Sequence, residues 1–467
     1  MSDTLPKGWA TAPLAEIAEI NPRHPKGLDD STPISFARMA ALSESKPEFE
    51  SLEKRTLGEV RKGFTHFAEG DVLFAKITPC MENGKGAVAR GLRNKLGCGT
   101  TELHVVRPLA GISPEYIYRF LAQERVRRAA KENFTGTAGQ ARVPTSFIEE
   151  LEVPLAPLPE QRRIVAELET LLDKVDACQQ RLAKIPVLLK RFRQSVLAAA
   201  CSGRLTADWR EENSKIQAPA SLIKNAQFEI AESEGELPEL PEKWKWVPLG
   251  NYARCFRGKF SPRPRNDPRY FNGSHPFIQI GNLPSEGGLV NSHIQTLNDE
   301  GLSVSRKFPK GTVVVAIVGA TIGNTGVLAY DMCVTDSIVG LETGDELGNR
   351  FVELFLRHKK DDIRQTSYSS GGQPNINLAA LNPYPLALPP LPEQQEIVRR
   401  VEGLFALADQ LELRLAKARG QVDKLTPSLL ARAFAGKLAP QDPADEPASK
   451  LLGRICNTNP TNQHGLH

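Results

Sequence analysis

The sequence predicts an α+β chain: a tandem duplication of one α+β domain followed by a long helix, the two helices packing as an antiparallel coiled coil. Three observations carry the expectation. The pentapeptide PLPEQ at 157–161 returns at 390–394. The offset of 233 holds without a gap from Gly139-Gln140 (matched by Gly372-Gln373) to Gly203-Arg204-Leu205 (matched by Gly436-Lys437-Leu438), and about a third of the aligned positions are identical. A heptad seam follows each PLPEQ. A gapless match this long marks a duplicated unit of about 230 residues.

Taken in chain order, each unit opens on a tryptophan motif, LPKGW at 5–9 and LPEKW at 240–244, followed by Pro13-Leu14 and Pro248-Leu249. Short apolar and β-branched runs broken by Gly, Pro and Asn come next, such as GDVLFAKI at 70–77 and its echo GTVVVAIV at 311–318, with Cys98 echoed by Cys333. These read as strands and turns. A helix is expected over 114–131, with its counterpart over 348–365. At PLPEQ the period changes. Pro159 and Pro392 suit the first helical position, and Glu160 and Glu393 favour a helix N-terminus. Ile164, Leu168, Leu171, Val175, Cys178, Leu182 and Ile185 are spaced 4-3-4-3-4-3, as are Ile397, Val401, Leu404, Ala408, Leu411, Leu415 and Ala418. Pro186 and Pro427 are expected to kink or restart the helices. The resulting division is 1–155 first domain, 156–205 first helix, 206–237 linker, 238–388 second domain, 389–438 second helix, and 439–467 a polar tail expected to be disordered.

The 467 residues suffice for two to four domains. No run approaches ~18 apolar residues, which excludes a membrane-spanning helix, and the N-terminus lacks the basic and apolar regions of a secretion signal. Seven scattered cysteines without a CxxC pair read as free thiols in a reducing cytoplasm. The net charge of +4 conceals two basic segments: 54–95 holds nine basic and four acidic residues, and 254–269 six and one. Between them, 206–237 holds three basic and seven acidic residues. Two basic domains on a rod fit a split DNA site. Residues 160–184 would span ~38 Å at ~1.5 Å per residue, close to the ~34 Å between half-sites of a symmetric reader.

Catalytic motifs do not emerge. GATIGNTG at 319–326 lacks the lysine and spacing of a P-loop, GKG at 84–86 is a loop, and HExxH and GxSxG are missing. LNPYPL at 381–386 scrambles the tetrad of an amino-methyltransferase.

The order of domain, PLPEQ helix ending in GxL, second domain and second PLPEQ helix resembles the specificity subunit of type I restriction–modification systems, over residues 5 to 452. Both PLPEQ helices, LPxxW, GDVLFAKI, the GQ pairs and QDPADEPASKLL at 441–452 carry the resemblance. It implies two target-recognition domains, each reading half of a bipartite gapped site, and helices that fix the gap and dock partners. The implied partners are double-stranded DNA, two methyltransferase subunits, and two restriction subunits where the system has them. It further implies no catalysis and no cofactor on this chain; S-adenosylmethionine, ATP and magnesium belong to the partner subunits. A metal-dependent nuclease and a coiled-coil scaffold stay open as alternatives.

Phosphates are met by Lys and Arg, and bases by Arg, Lys, Asn or Gln. The DNA-contact candidates are therefore Lys54, Arg55, Arg61, Lys62, Lys76, Lys85, Arg90, Arg93, Lys95, Gln140 and Arg142 in the first domain. In the second they are Arg257, Lys259, Arg263, Arg265, Arg269, Gln279, Asn282, Arg306, Lys307 and Gln373. Arg162, Arg163, Arg399 and Arg400 are candidates for docking the methyltransferase subunits.

Overall fold

The computed structural model describes residues 5–137, 141–223, 226–231, 236–368 and 375–458. In the first domain the strands are β1 (Ala10–Pro13), β2 (Ala18–Ile20), β3 (Pro33–Ala37), β4 (Glu53–Thr56), β5 (Thr65–Ala68), β6 (Val72–Ala75), β7 (Gly86–Val88), β8 (Leu96–Gly99), β9 (Leu103–Pro108) and β10 (Glu152–Leu155), most of them short apolar runs and β4 wholly polar. They make two four-stranded sheets, β2-β9-β6-β7 and β4-β3-β8-β5, and a ribbon, β1-β10, that ties the domain's start to its end. Val72–Ala75 is buried on both faces, which is why GDVLFAKI reads as an unbroken apolar run rather than an alternating one.

The second domain repeats the plan with β11 (Lys245–Pro248), β12 (Arg254–Arg257), β13 (Phe271–Ile278), β14 (Leu289–Val290), β15 (Gln295–Leu297), β16 (Arg306–Phe308), β17 (Val313–Ala316), β18 (Thr325–Leu328), β19 (Met332–Val334), β20 (Ile338–Glu342) and β21 (Pro385–Leu388). Its sheets run β12-β20-β17-β18-β14 and β15-β13-β19-β16, with the ribbon β11-β21. Apart from the added β14, strand order matches the first domain position for position. In both, the second sheet is antiparallel except for one central parallel pair, β3 with β8 and β13 with β19.

The helices expected over 114–131 and 348–365 are each two: Pro114–Leu121 with Glu124–Glu132, and Glu346–His358 with Lys360–Tyr368. The first break falls at Gln123, whose backbone is extended and whose side-chain amide donates to the Phe120 carbonyl (3.1 Å).

The chain falls into two units, residues 1–183 with 416–467, and residues 184–415. Both long helices, Leu158–Cys201 and Leu391–Val422, contribute to each unit. Within the first, Ile164 and Leu168 are buried in the domain core with Tyr116, Phe120 and Val153, and Phe434 from the helix Leu425–Phe434 joins them, its ring 4.9 Å from that of Tyr116. Within the second, Ile397 and Val401 share a core with Leu197, Ala200, Phe351 and Phe355. Helix direction is antiparallel in each: Gln179 meets Asp423 and Arg419 meets Leu182 in one, Arg193 meets Asp409 and Glu412 in the other. The seam is only partly closed. Cys178 and Leu411, placed on it by the heptad, are exposed.

The proline expectations divide. Pro427 sits where the second helix stops at Val422 and restarts at Leu425. Pro186, by contrast, lies inside one continuous helix. A proline removes the hydrogen bond to the carbonyl four residues back, here that of Leu182, and the Arg419 guanidinium donates to that oxygen (3.1 Å). Arg419 is the residue that the 233 offset aligns with Pro186.

The tail departs from expectation. Residues Ala448–Thr458 form a helix, and Ala448, Leu451 and Ile455 are buried in the first domain's core. The contact is carried by Ala448, Leu451 and Ile455 at i, i+3 and i+7, with Leu452 partly buried beside them, a short pattern that does not stand out in a polar segment. No described helix is long and apolar enough to cross a membrane.

Candidate nucleic-acid interface

The central parallel pairs bring two strand ends to one edge of each domain. Beyond β3 and β8, the Thr100 amide donates to the Ala37 carbonyl (3.2 Å), and beyond β13 and β19 the Thr335 amide donates to Ile278 (3.3 Å). Cations gather at both edges. In the second domain Arg265 Nη2 lies 2.9 and 3.0 Å from the two oxygens of Asp336, and Arg263 reaches the same carboxylate at 3.7 Å. Arg257 Nε donates to the Asp336 carbonyl (2.7 Å), and Arg306 Nη1 donates to the Arg257 carbonyl (2.6 Å). Lys259 is exposed beside them, its backbone amide bonded to Val334. One carboxylate among five cations leaves the edge strongly positive.

In the first domain the corresponding edge holds Glu102, gripped by Arg142 through Nε (2.7 Å) and Nη2 (2.8 Å). That grip holds the Glu102 carboxyl below its usual range. Lys76 joins them through backbone bonds to Glu102 and Val143. Exposed ion pairs add little stability, a median of ~0–1 kcal/mol, so these contacts are better read as aiming guanidiniums.

The other candidates divide. Lys54 stands opposite Ser35, whose hydroxyl accepts from the Arg93 amide (3.0 Å), so Lys54, Arg93 and Lys95 form a second exposed group. Arg55 lies over the Phe36 ring at 4.1 Å and pairs with Glu53 (2.9 Å). Gln279 and Asn282 are neighbours, Asn282 Oδ1 accepting from the Gln279 amide (2.9 Å). Lys62 is exposed. The remaining residues are tied elsewhere: Arg61 to Asp30 (2.6 Å), Lys85 to the Met39 carbonyl (3.4 Å), Arg90 to Glu115 (2.5 Å), Arg269 to Asp267 (2.8 Å) and Lys307 to Asp331 (3.2 Å). Gln140 and Gln373 lie outside the described residues.

Of the docking candidates, Arg162 and Arg399 are exposed. Arg399 nonetheless holds Glu396 through Nε and Nη2 (both 2.7 Å), and Arg163 and Arg400 are engaged with more distant parts of the chain. Arg163 pairs with Asp445 (2.5 Å) and donates to the Pro440 carbonyl (3.2 Å); Arg400 pairs with Asp208 (2.7 Å) and donates to the Leu205 carbonyl (2.9 Å). Each holds the segment that follows the other helix's Gly-x-Leu. The 233 offset aligns Arg163 with Glu396, not with Arg400, so the two copies place this cation one helical turn apart.

Both motif pairs noted in the sequence meet in space, which spacing alone did not reveal. The Trp9 indole donates to Glu160 (3.1 Å) and the Trp244 indole to Glu393 (2.9 Å). The PLPEQ glutamines donate to the strand-end carbonyls of Ala156 (2.9 Å) and Pro389 (3.0 Å). The LPxxW and PLPEQ motifs therefore lock each domain onto its helix.

A family model described as the type I restriction modification DNA specificity domain matches residues 6–187 and 241–417. The EcoEI specificity subunit of Escherichia coli is 29% identical over 490 residues, covering 89% of this chain and 80% of its own. The EcoDI specificity subunit of Escherichia coli is 31% identical, covering 74% of each chain, and the EcoKI specificity subunit of strain K12 is 25% identical, covering 95% and 92%. Among solved structures, the HsdS subunit from Thermoanaerobacter tengcongensis aligns with a TM-score of 0.64 at 20% identity over 93% of this chain and 98% of its own. A chain from a type I R-M system studied for its complex assembly and conformational transition aligns with a TM-score of 0.67 at 20% identity, over 93% and 100%. The duplicated domains, their helices and these matches agree: the chain belongs to the type I restriction–modification DNA specificity family.

Proposed function

We propose that this chain is the sequence-specificity subunit of a type I restriction–modification complex, with each strand-rich domain reading one half of a bipartite, gapped DNA site. The observation that carries the reading is a cationic cluster at the exit of the central parallel pair in each domain: Lys76 and Arg142 around Glu102 after β8 in one, and Arg257, Lys259, Arg263, Arg265 and Arg306 around Asp336 after β19 in the other, supplied from different strands in the two copies. Cations of this kind neutralise phosphates and fix register, while neighbouring polar groups read base edges. The two long helices set the gap between half-sites. Their exposed faces, with Arg162 and Arg399, dock two methyltransferase subunits, and two restriction subunits join where the system has them. The chain itself carries no reaction: S-adenosylmethionine, ATP and magnesium act on the partner subunits, in the cytoplasm.

The test is a domain exchange read by mapping methylated adenines in the host genome. Replacing residues 240–388 with the second domain of a relative is expected to change one half of a gapped methylated motif and leave the other half and the gap intact. A swap that altered both halves together would overturn independent reading.

A further inference from the structure

At the cationic edge of each domain, the residue that leaves the central parallel strand is held side chain to side chain by a residue of the neighbouring strand. In the first domain it is Arg38, directly after β3. Its Nε lies 2.5 Å and its Nη2 3.5 Å from the oxygens of Glu53 on β4. In the second it is Gln279, directly after β13, whose side-chain amide donates to Gln295 Oε1 on β15 (2.8 Å). Strand register makes the pairs equivalent: Phe36 faces Glu53 and Cys98, as Phe277 faces Gln295 and Cys333. The same position in the fold thus carries a charged pair in one copy and an amide pair in the other.

Resting on the reading of each domain as a half-site reader, we propose that Arg38 and Gln279 are the equivalent base-reading residues of the two domains, Arg38 for guanine and Gln279 for adenine. Both sit beside the cations that would take the phosphates. Arg38 is one residue from the Ala37 carbonyl bonded to Thr100, and Gln279 is one residue from the Ile278 carbonyl bonded to Thr335, next to Asp336. Both are exposed; the Arg38 side chain is 66% accessible.

The chemistry of the clamps selects the base. A carboxylate on the Nε side of a guanidinium leaves its terminal nitrogens to meet the O6 and N7 acceptors of guanine. A glutamine amide offers one donor and one acceptor, the complement of adenine N7 and N6. Gln279 is fixed twice, by Gln295 and by reciprocal capping with Asn282, so little rotamer freedom is left to lose on binding. Ile294, directly before Gln295, is 85% exposed. An apolar side chain held in water beside an adenine reader suits the thymine methyl of the same base pair. The residue before Glu53 is Leu52, which instead packs on the core.

The experiment compares Arg38→Gln, Gln279→Ala and wild type, each assembled with its methyltransferase subunits, by mapping methylated adenines. Arg38→Gln is expected to relax a guanine position in one half-site, and Gln279→Ala an A·T position in the other, each with discrimination reduced about 5- to 150-fold. The gap and the opposite half stay unchanged. An unchanged motif at full occupancy overturns the assignment and leaves the specificity-subunit reading standing. Wild type without a gapped methylated motif defeats that reading instead. If a variant stops methylating, binding of its purified complex to duplexes substituted base by base decides. Preference lost at a single position supports the assignment; equal weakening on every duplex means a phosphate contact and overturns it.

Discussion

The two Trp–Glu locks use the same motif letters and close differently. Glu393 is saturated: one oxygen accepts from Trp244 and the other from Thr206 (2.8 Å) and Arg210 (3.0 Å). Glu160 accepts from Trp9 through Oε2, while no donor closes on its Oε1 among the described residues and the Gln441 amide of the tail only stands near the carboxyl. The offset explains the difference, because Thr206 and Arg210 align with Ala439 and Pro443. The tail that takes the linker's place in the first unit spends its charge one turn away, in the Arg163–Asp445 pair. Duplication preserved the motif inside the repeat and left its surroundings to diverge. The first unit compensates with hydrophobic cover, its tail helix burying Leu451 and Ile455.

The comparison can be broken first at that tail. Deleting residues 447–458 withdraws Ala448, Leu451 and Ile455 from the core of the first unit and removes the bond from the Ala448 amide to the Gly8 carbonyl (2.8 Å). Burying a leucine or isoleucine contributes about 1.5–3 kcal/mol, so a loss of about 3–6 kcal/mol is expected there. Hydrogen exchange should report it as lost protection in the first unit, with the core around Phe351 and Val401 unaffected. Equal loss in both units would show that the tail does not act locally.

The second lock is the next to break. Glu393→Ala removes the acceptor of the Thr206 hydroxyl and the Trp244 indole and the counter-charge of Arg210, which keeps only its bond to the Gly203 carbonyl. Removing one partner of a buried ion pair costs about 3–5 kcal/mol, and chemical denaturation should show a destabilisation of that size. Arg210→Ala leaves Glu393 with two neutral donors and should cost less. If both variants cost the same, the charge pair rather than the whole network carries the lock.

How much of this was legible beforehand follows the same division. The repeat, the strand-rich domains and the heptad helices were written in the sequence because each is a periodic or duplicated pattern. The Trp–Glu contacts were not, although all four residues stood in recognised motifs. Sequence shows that two motifs recur together but not that the chain returns to one place over the 151 positions that separate Trp9 from Glu160. The tail helix escaped because its contact rests on a few side chains, Ala448, Leu451, Leu452 and Ile455, in an otherwise polar segment. Among the basic candidates, charge could mark Arg257, Arg263 and Arg265 but could not show that they converge on the one residue Asp336, whereas Arg61 and Arg269 each pair singly, with Asp30 and Asp267. Arg38, proposed above as a base reader, was not among the candidates because it lies outside the basic run 54–95 from which most of the first domain's were drawn.

The smallest effect sharpens the contrast most. Burial pushes the Glu160 carboxyl above its ordinary range, with the Trp9 indole and the charge of Arg163 only partly opposing it. A carboxyl whose folded pKa is raised binds its proton more tightly in the folded chain than in the unfolded one. Its ionisation therefore works against folding: the penalty is absent below the unfolded pKa of ~4.3, grows as pH rises through that value, and is complete once pH passes the folded pKa. Glu160→Gln keeps an oxygen for Trp9 and removes the buried charge. The variant should match or exceed wild type at pH 7, by roughly 1 kcal/mol or less on the scale of one hydrogen bond. Any advantage should shrink as pH falls toward 4. Thermal melts at pH 4, 5.5 and 7 measure the trend. A gap that instead widened toward acid would mean that the Glu160 charge stabilises the fold, and that the two locks are alike after all.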